Sequence, residues 1–240
     1  MRDTNLLVVI ALCTTTALGA VGCAEDDVSF YIQQNQIPED GCSVATASAG
    51  VFLSSGTLDV DIRVGRGYYM FPLVVNNMVP SNKVDGQPER NNLHMRSFDV
   101  TLDVGGLALT SAVASELEFA IPKSGMIAPG GEAVYSGVQV ISDKLAAELG
   151  NQLQTKSGNQ PVVLVTMRAV AERSGETRES AEFIFPVTLC YGCLVDFRTA
   201  APASTDKDVF KNACGLPQDS PVTCYKSTSG TAVCLQDKSS

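Results

Sequence analysis

Arg96-Ser97-Phe98-Asp99-Val100-Thr101-Leu102-Asp103-Val104 is the stretch that decides the fold class. Phe98, Val100, Leu102 and Val104 alternate with Ser97, Asp99, Thr101 and Asp103. A strand turns successive side chains to opposite faces, so this period of two puts one set in a core and the other in water. Gly105-Gly106 ends the run. The same pattern recurs outward in both directions. Leu58, Val60, Ile62 and Val64 alternate with Thr57, Asp59, Asp61 and Arg63. That alternation predicts Asp59 and Asp61 on a wet face. Val163, Val165, Met167 and Ala169 share one face, and Ala181, Phe183, Phe185 and Val187 can oppose them. Arg173-Ser174-Gly175-Glu176-Thr177, between those two runs, is a hairpin signal.

Further strands are expected over 49–53, 68–75, 116–121 and 133–140. Pro72 marks a bulge or an edge in the second of these. Gln33 to Gln36 and Asn76 to Asn92 are polar and rich in turn residues, and are expected as loops. One helix interrupts the strands. Ser142 can cap it, Asp143 suits its first turn, and Leu145, Leu149 and Leu153 form one apolar stripe. About eight short strands with turns between them predict a mainly β protein. Its expected form is an antiparallel immunoglobulin-like β-sandwich with one short helix and a disulfide-rich C-terminal extension. A transmembrane barrel would wear aromatic girdles, and 6% aromatic residues with no Trp argue against one.

The first 23 residues set the expected compartment. Met1 to Asn5 is polar, Leu6 to Leu12 is almost wholly apolar, and small residues lead to Ala20-Val21-Gly22-Cys23. This is the layout of a secretory signal peptide. With the cysteine directly after the small residues, it resembles the lipobox of bacterial lipoproteins. The resemblance implies cleavage before Cys23, which becomes a lipidated N-terminus carrying palmitate or similar acyl chains. Two or more chains give stable anchoring, at ~0.8 kcal/mol per buried methylene. The residues after Cys23 are Ala24-Glu25-Asp26-Asp27, with no Asp directly following the cysteine. By the same resemblance the protein is expected on the outer membrane of a Gram-negative cell envelope. The expected organisation is a signal peptide over 1–22, a lipidated tether over 23–41, a β-sandwich over 42–195 and a Cys-rich segment over 196–240.

Eight cysteines are present. If Cys13 leaves with the signal and Cys23 is lipidated, Cys42, Cys190, Cys193, Cys214, Cys224 and Cys234 remain. An even number in an oxidising compartment reads as three disulfides, and six cysteines allow 15 pairings. The run from Gln218 to Cys224 followed by Gly230 to Cys234 is expected as a disulfide-held β-hairpin. It is similar to tails of uncharacterised envelope lipoproteins from myxobacteria-like Gram-negative bacteria.

Chemistry is sparse. Cys190-Tyr191-Gly192-Cys193 is a Cys-x-x-Cys, redox-active where a helix N-terminus lowers the first thiol's pKa. Here it ends a strand with no clear helix after it, so it is expected as structural half-cystines. Zinc held by Cys190, Cys193, Cys214 and Cys224 would normally need a second Cys-x-x-Cys knuckle. The single histidine, His94, is expected at the surface, and no Gly-x-Ser-x-Gly elbow precedes a helix. Asp59, Asp61, Asp99, Asp103 and Glu118 could supply a glycosidase-type pair, and Asp59 with Asp61 a calcium site, but strand alternation places acids in water. Tyr68 and Tyr69 could edge a sugar surface, although core and rim packing is the expectation. The formal net charge is −9 without runs of Lys or Arg, which argues against phosphate-backbone binding.

The expected function is therefore a lipid-anchored, non-catalytic envelope protein with a binding or structural role. Its partners would be the membrane, through the lipid, and an unknown protein or glycan; no cofactor, metal or nucleic acid is expected. Two alternatives are a carbohydrate or peptidoglycan-binding module, and an extracytoplasmic thiol-disulfide protein using Cys190 and Cys193.

Overall fold

The computed structural model describes residues 29–38, 43–45, 50–61, 66–81, 87–154, 160–198, 216–226 and 232–234. Cys23, Cys42 and Cys214 lie outside them. The described chain is mainly β, with two helices.

Its largest sheet is built from β3 (Gly56–Asp59), β6 (Leu93–Asp103), β7 (Glu118–Ile127), β10 (Val162–Arg173), β11 (Glu176–Glu179) and β12 (Phe183–Cys190). The order is β3-β12-β10-β6-β7, and β11 pairs with β10. Alternation builds the central strands as expected: Phe98, Val100, Leu102 and Val104 are all buried. On β10, Val163, Val165, Met167 and Ala169 are buried beside Phe185 and Val187 of β12. The β10–β11 turn forms at Ser174-Gly175, where both residues take positive φ.

Beyond that hairpin, Ala181 departs from its expected place and is exposed. A break at 180–182 separates β11 from β12 and shifts the phase. Ser180 holds the break: its Oγ accepts the Ala169 N–H at 2.9 Å, and its own N–H donates to Ala169 O. A side chain thus closes the ladder where the backbone leaves it.

A second sheet runs β2-β1-β5-β8, from β1 (Phe30–Gln36), β2 (Phe52–Leu53), β5 (Pro72–Asn76) and β8 (Glu132–Val134). Gln33 to Gln36, expected as loop, belong to β1, and Gln34, Asn35 and Gln36 are buried. Composition misleads there because an amide side chain can serve a backbone donor: Asn35 Oδ1 accepts the Phe71 N–H at 2.7 Å. The expected single strand over 68–75 divides at that contact. β4 (Tyr68–Met70) pairs with β9 (Val138–Ile141), and Pro72 opens β5, which pairs with β1 and β8. Residues 133–140 likewise divide into β8 and β9.

β1 packs on β10 and β12, and residues of both sheets form one buried cluster. α2 (Asp143–Leu153) adds Leu145, Ala146, Leu149 and Leu153 to it. Its cap is the expected one, Ser142 Oγ accepting the Leu145 N–H at 3.0 Å. A single helical turn, α1 (Ser111–Ala114), was not expected from the sequence.

Pairing is antiparallel except at two places. β12 runs parallel to β3, and β13 (Val195–Arg198) runs parallel to β14 (Val222–Lys226). β14 and β15 (Ala232–Cys234) pair antiparallel, with Cys224 opposite Cys234, as the two arms of the expected hairpin would; residues 227–231 between them lie outside the described residues. Among the described residues, no helix is long and apolar enough to cross a membrane.

Candidate functional site

The wet face of the large sheet is set by the same alternation that builds the core. Cross-strand register brings its side chains into rows. In one row Ile184 lies opposite Thr166, Thr166 opposite Thr101, and Thr101 opposite Glu118. In the next, Arg168 lies opposite Asp99, and Asp99 opposite Ala120. Between these rows is a hollow of about 340 Å³, lined by Asp99, Thr101, Glu118, Thr166, Arg168 and Glu182 among others. Arg168 is turned to one side. Its guanidinium donates to Glu182 at 2.6 Å and lies 3.8 Å from Glu179. Asp99 accepts from Ser97 Oγ at 3.1 Å. Asp99, Asp103 and Glu118 are thus on the wet face, as the alternation predicts. His94 is exposed at the end of β6, opposite Met126 and Glu172.

Asp59 and Asp61 correct the expectation: both are fully buried. Each oxygen of the Asp59 carboxylate is used by backbone amides. Oδ1 accepts from Gly192 at 2.7 Å and Asp61 at 3.1 Å, and Oδ2 from Leu194 at 2.8 Å and Val195 at 3.0 Å. The turn that follows β12 therefore wraps a buried carboxyl group. Alternation failed here because it assumes water on the second face, and at Asp59 the turn through Gly192, Leu194 and Val195 occupies that face instead.

The same turn carries the Cys-x-x-Cys. Cys190 and Cys193 are joined to each other, with their Cα atoms 5.9 Å apart. Cys193 is exposed, whereas Cys190 retains 4% of its surface. A thiol is activated by a cationic neighbour or a helix N-terminus. This one has Asp59 instead: carboxylate and sulfurs form a group whose atoms lie within 4.8 Å of one another. The trio could ligate a metal only after the disulfide opened and Asp59 released its amides. Cys224 is buried and disulfide-bonded.

Two polar residues that gave no sequence signal stitch residues 216–220 to the body. Gln218 copies a strand with its side chain: Oε1 accepts the Tyr69 N–H and Nε2 donates to Tyr69 O, both at 2.9 Å. Asp219 accepts the Thr57 N–H at 2.8 Å and the Tyr68 hydroxyl at 2.8 Å. Burial raises the Asp219 pKa above the usual carboxylate range, against the lowering pull of the Thr57, Tyr68 and Gln218 donors. Burial also pushes the Tyr68 hydroxyl well up, reinforced by the Asp219 charge. Tyr68 is thus a core residue and Tyr69 a half-buried rim residue, as expected.

No known protein family matches the chain, and neither a curated protein nor a solved structure is similar to it.

Proposed function

We propose that the chain is a lipid-anchored, non-catalytic protein of the cell envelope, held by acyl chains on Cys23 and binding through the open face of its large sheet. The observation that carries the binding role is the hollow at Asp99, Thr101, Glu118, Thr166 and Glu182. It offers acceptors and hydroxyls without a histidine, a thiol or an activated serine beside them. The lipobox-like run ending at Cys23 supports the anchor. So does the cysteine count: of eight, Cys13 would leave with the signal, and of the seven that remain an even six are free to pair once Cys23 is spent on lipid. The finer fold proposal is an immunoglobulin-like sandwich, supported by two largely antiparallel sheets around one core. The parallel β3–β12 pair at one edge is a departure from that type.

A sugar-binding role would call for an exposed aromatic platform. The lining aromatic, Phe119, is half-buried, which disfavours that alternative. The anchor is tested by metabolic labelling with palmitate in a Gram-negative host, followed by membrane fractionation. The wild-type chain is expected to carry label and to sediment with membranes, and Cys23→Ala to lose both. An unlabelled wild type would overturn the proposal.

A further inference from the structure

Three of the large apolar side chains exposed among the described residues gather on one part of the sheet: Val162 and Leu164 at 40% and Ile184 at 58%. Ile184 and Leu164 sit beside the hollow, because Thr166, which lines it, is opposite Ile184 and two residues along the same strand from Leu164. Around them, among the described residues, Asp99, Asp103, Glu118, Glu179 and Glu182 share the surface with one guanidinium, Arg168, and that is already paired to two of them. The face therefore combines an apolar strip with uncompensated negative charge. The row Ile184–Thr166–Thr101–Glu118 fixes their separation. Three strand spacings place the apolar end about 14 Å from the acidic end, with two hydroxyls between.

We propose that this face docks an extended polypeptide segment of a partner protein, laid across the strands, that carries an apolar residue and, four residues later, a lysine or arginine. An extended chain covers about 13 Å in four residues and returns its side chains to the same face, which matches the row. The apolar residue meets Ile184 and Leu164, the intervening polar residue meets Thr166 and Thr101, and the cation meets Glu118 and Asp99. A protein of net charge −9 also draws a cationic partner at long range. The inference names the partner for the binding role proposed above and rests on it, although it is independent of the lipid.

The test uses the mature chain, ¹⁵N-labelled, with seven-residue peptides of serine and threonine. One has a leucine and, four residues on, a lysine. A second has the lysine directly after the leucine, and a third carries glutamate in place of lysine. The first is expected to shift the amide resonances of Thr101, Thr166 and Ile184, and to bind at least about threefold tighter than the others, the scale of an exposed ion pair. Glu118→Lys should reverse the preference in favour of the glutamate peptide, and Ile184→Asp should weaken all three. Both positions are exposed, so each variant should keep its spectrum. Equal binding of the three peptides, an unchanged preference in Glu118→Lys, or shifts confined elsewhere would overturn the proposal. So would calcium chloride alone moving the same resonances at equal concentration, which would make the hollow a cation site. Palmitate labelling reports separately. A labelled chain that ignores the peptides loses this inference but keeps its anchor, and an unlabelled chain that binds them does the reverse.

Discussion

At the scale of single residues, Asp59 holds a turn of the backbone with one side chain. Four amide donors end on one carboxylate. An unsatisfied buried donor costs ~1–3 kcal/mol, so Asp59→Ala is expected to lose roughly 3–5 kcal/mol in urea denaturation. Asp59→Asn keeps one acceptor and should lose less. Glycines mark two other tight places. A Cβ on Gly67 would stand 1.8 Å from Ile141 O, which is backbone and cannot rotate away. A Cβ on Gly56 would stand 2.2 Å from the Tyr68 hydroxyl. Gly67→Ala should therefore be the more damaging, and both should exceed Gly106→Ala, where positive φ is the main obstacle. Asp219 supplies a pH dependence. Its folded-state pKa is raised, so the native protein takes up a proton at a higher pH than the unfolded chain does. Its burial opposes folding at neutral pH, and that opposition fades as pH falls toward the ordinary carboxylate range. Wild type should gain stability relative to Asp219→Asn between pH 7 and about 4, measured by urea denaturation at each pH. A difference that stays constant over that range would remove Asp219 from the account.

At the scale of elements, α2 shows how a local cap becomes a tertiary contact. Ser142 caps the helix and also donates to Glu116, which lies 3.1 Å from Lys144. The Ser142 hydrogen bond is the main reason that the Glu116 pKa lies below its usual range, with Lys144 adding to it. Ser142→Ala is expected to cost ~1 kcal/mol in thermal or urea denaturation. It should also raise the Glu116 pKa in an NMR titration, a change that loss of the cap alone would not produce. The sign for Glu116 is opposite to that for Asp219: its contribution holds above the ordinary carboxylate range and fades as pH falls below it. The group is half-buried and its lysine partner exposed, so solvent screens the pair and the effect on stability should be slight. Ser180 is the other element-scale device. Replacing it with Ala leaves the Ala169 amide without its acceptor at the break between β11 and β12.

At the scale of the whole molecule, the C-terminal segment closes an edge. Residues 217–219 hydrogen-bond to β3, with the Asp59 N–H donating to Pro217 O and the Asp219 N–H to Thr57 O. The large sheet thus does not end in a free strand on that side, where an open edge would invite aggregation. The Cys190–Cys193 bridge closes only a short loop, so removing it as Cys190→Ala with Cys193→Ala should cost ~2 kcal/mol. Asp59 still holds the turn in that variant. The bridge closes residues 190–193 and the carboxylate holds Gly192, Leu194 and Val195, so both constrain one turn and their losses should not add: the triple variant Asp59→Ala, Cys190→Ala, Cys193→Ala should depart from the sum in urea denaturation.

Alternation alone determined that the protein is mainly β. It also determined which side chains of β6 and β10 enter the core and that Asp99, Asp103 and Glu118 stay wet, because a strand's period is a property of its own backbone. The helix over 143–153 and the turn at Ser174-Gly175 were legible for the same local reason. Only the tertiary structure decided what covers a face. Asp59 and Asp61 follow a pattern indistinguishable from that of Asp99 and Asp103, yet both are buried, and at Asp59 a turn from far along the chain takes the place of water. The row from Ile184 to Glu118 joins four strands distant in sequence, and cross-strand register, which no single stretch encodes, aligns them into one surface.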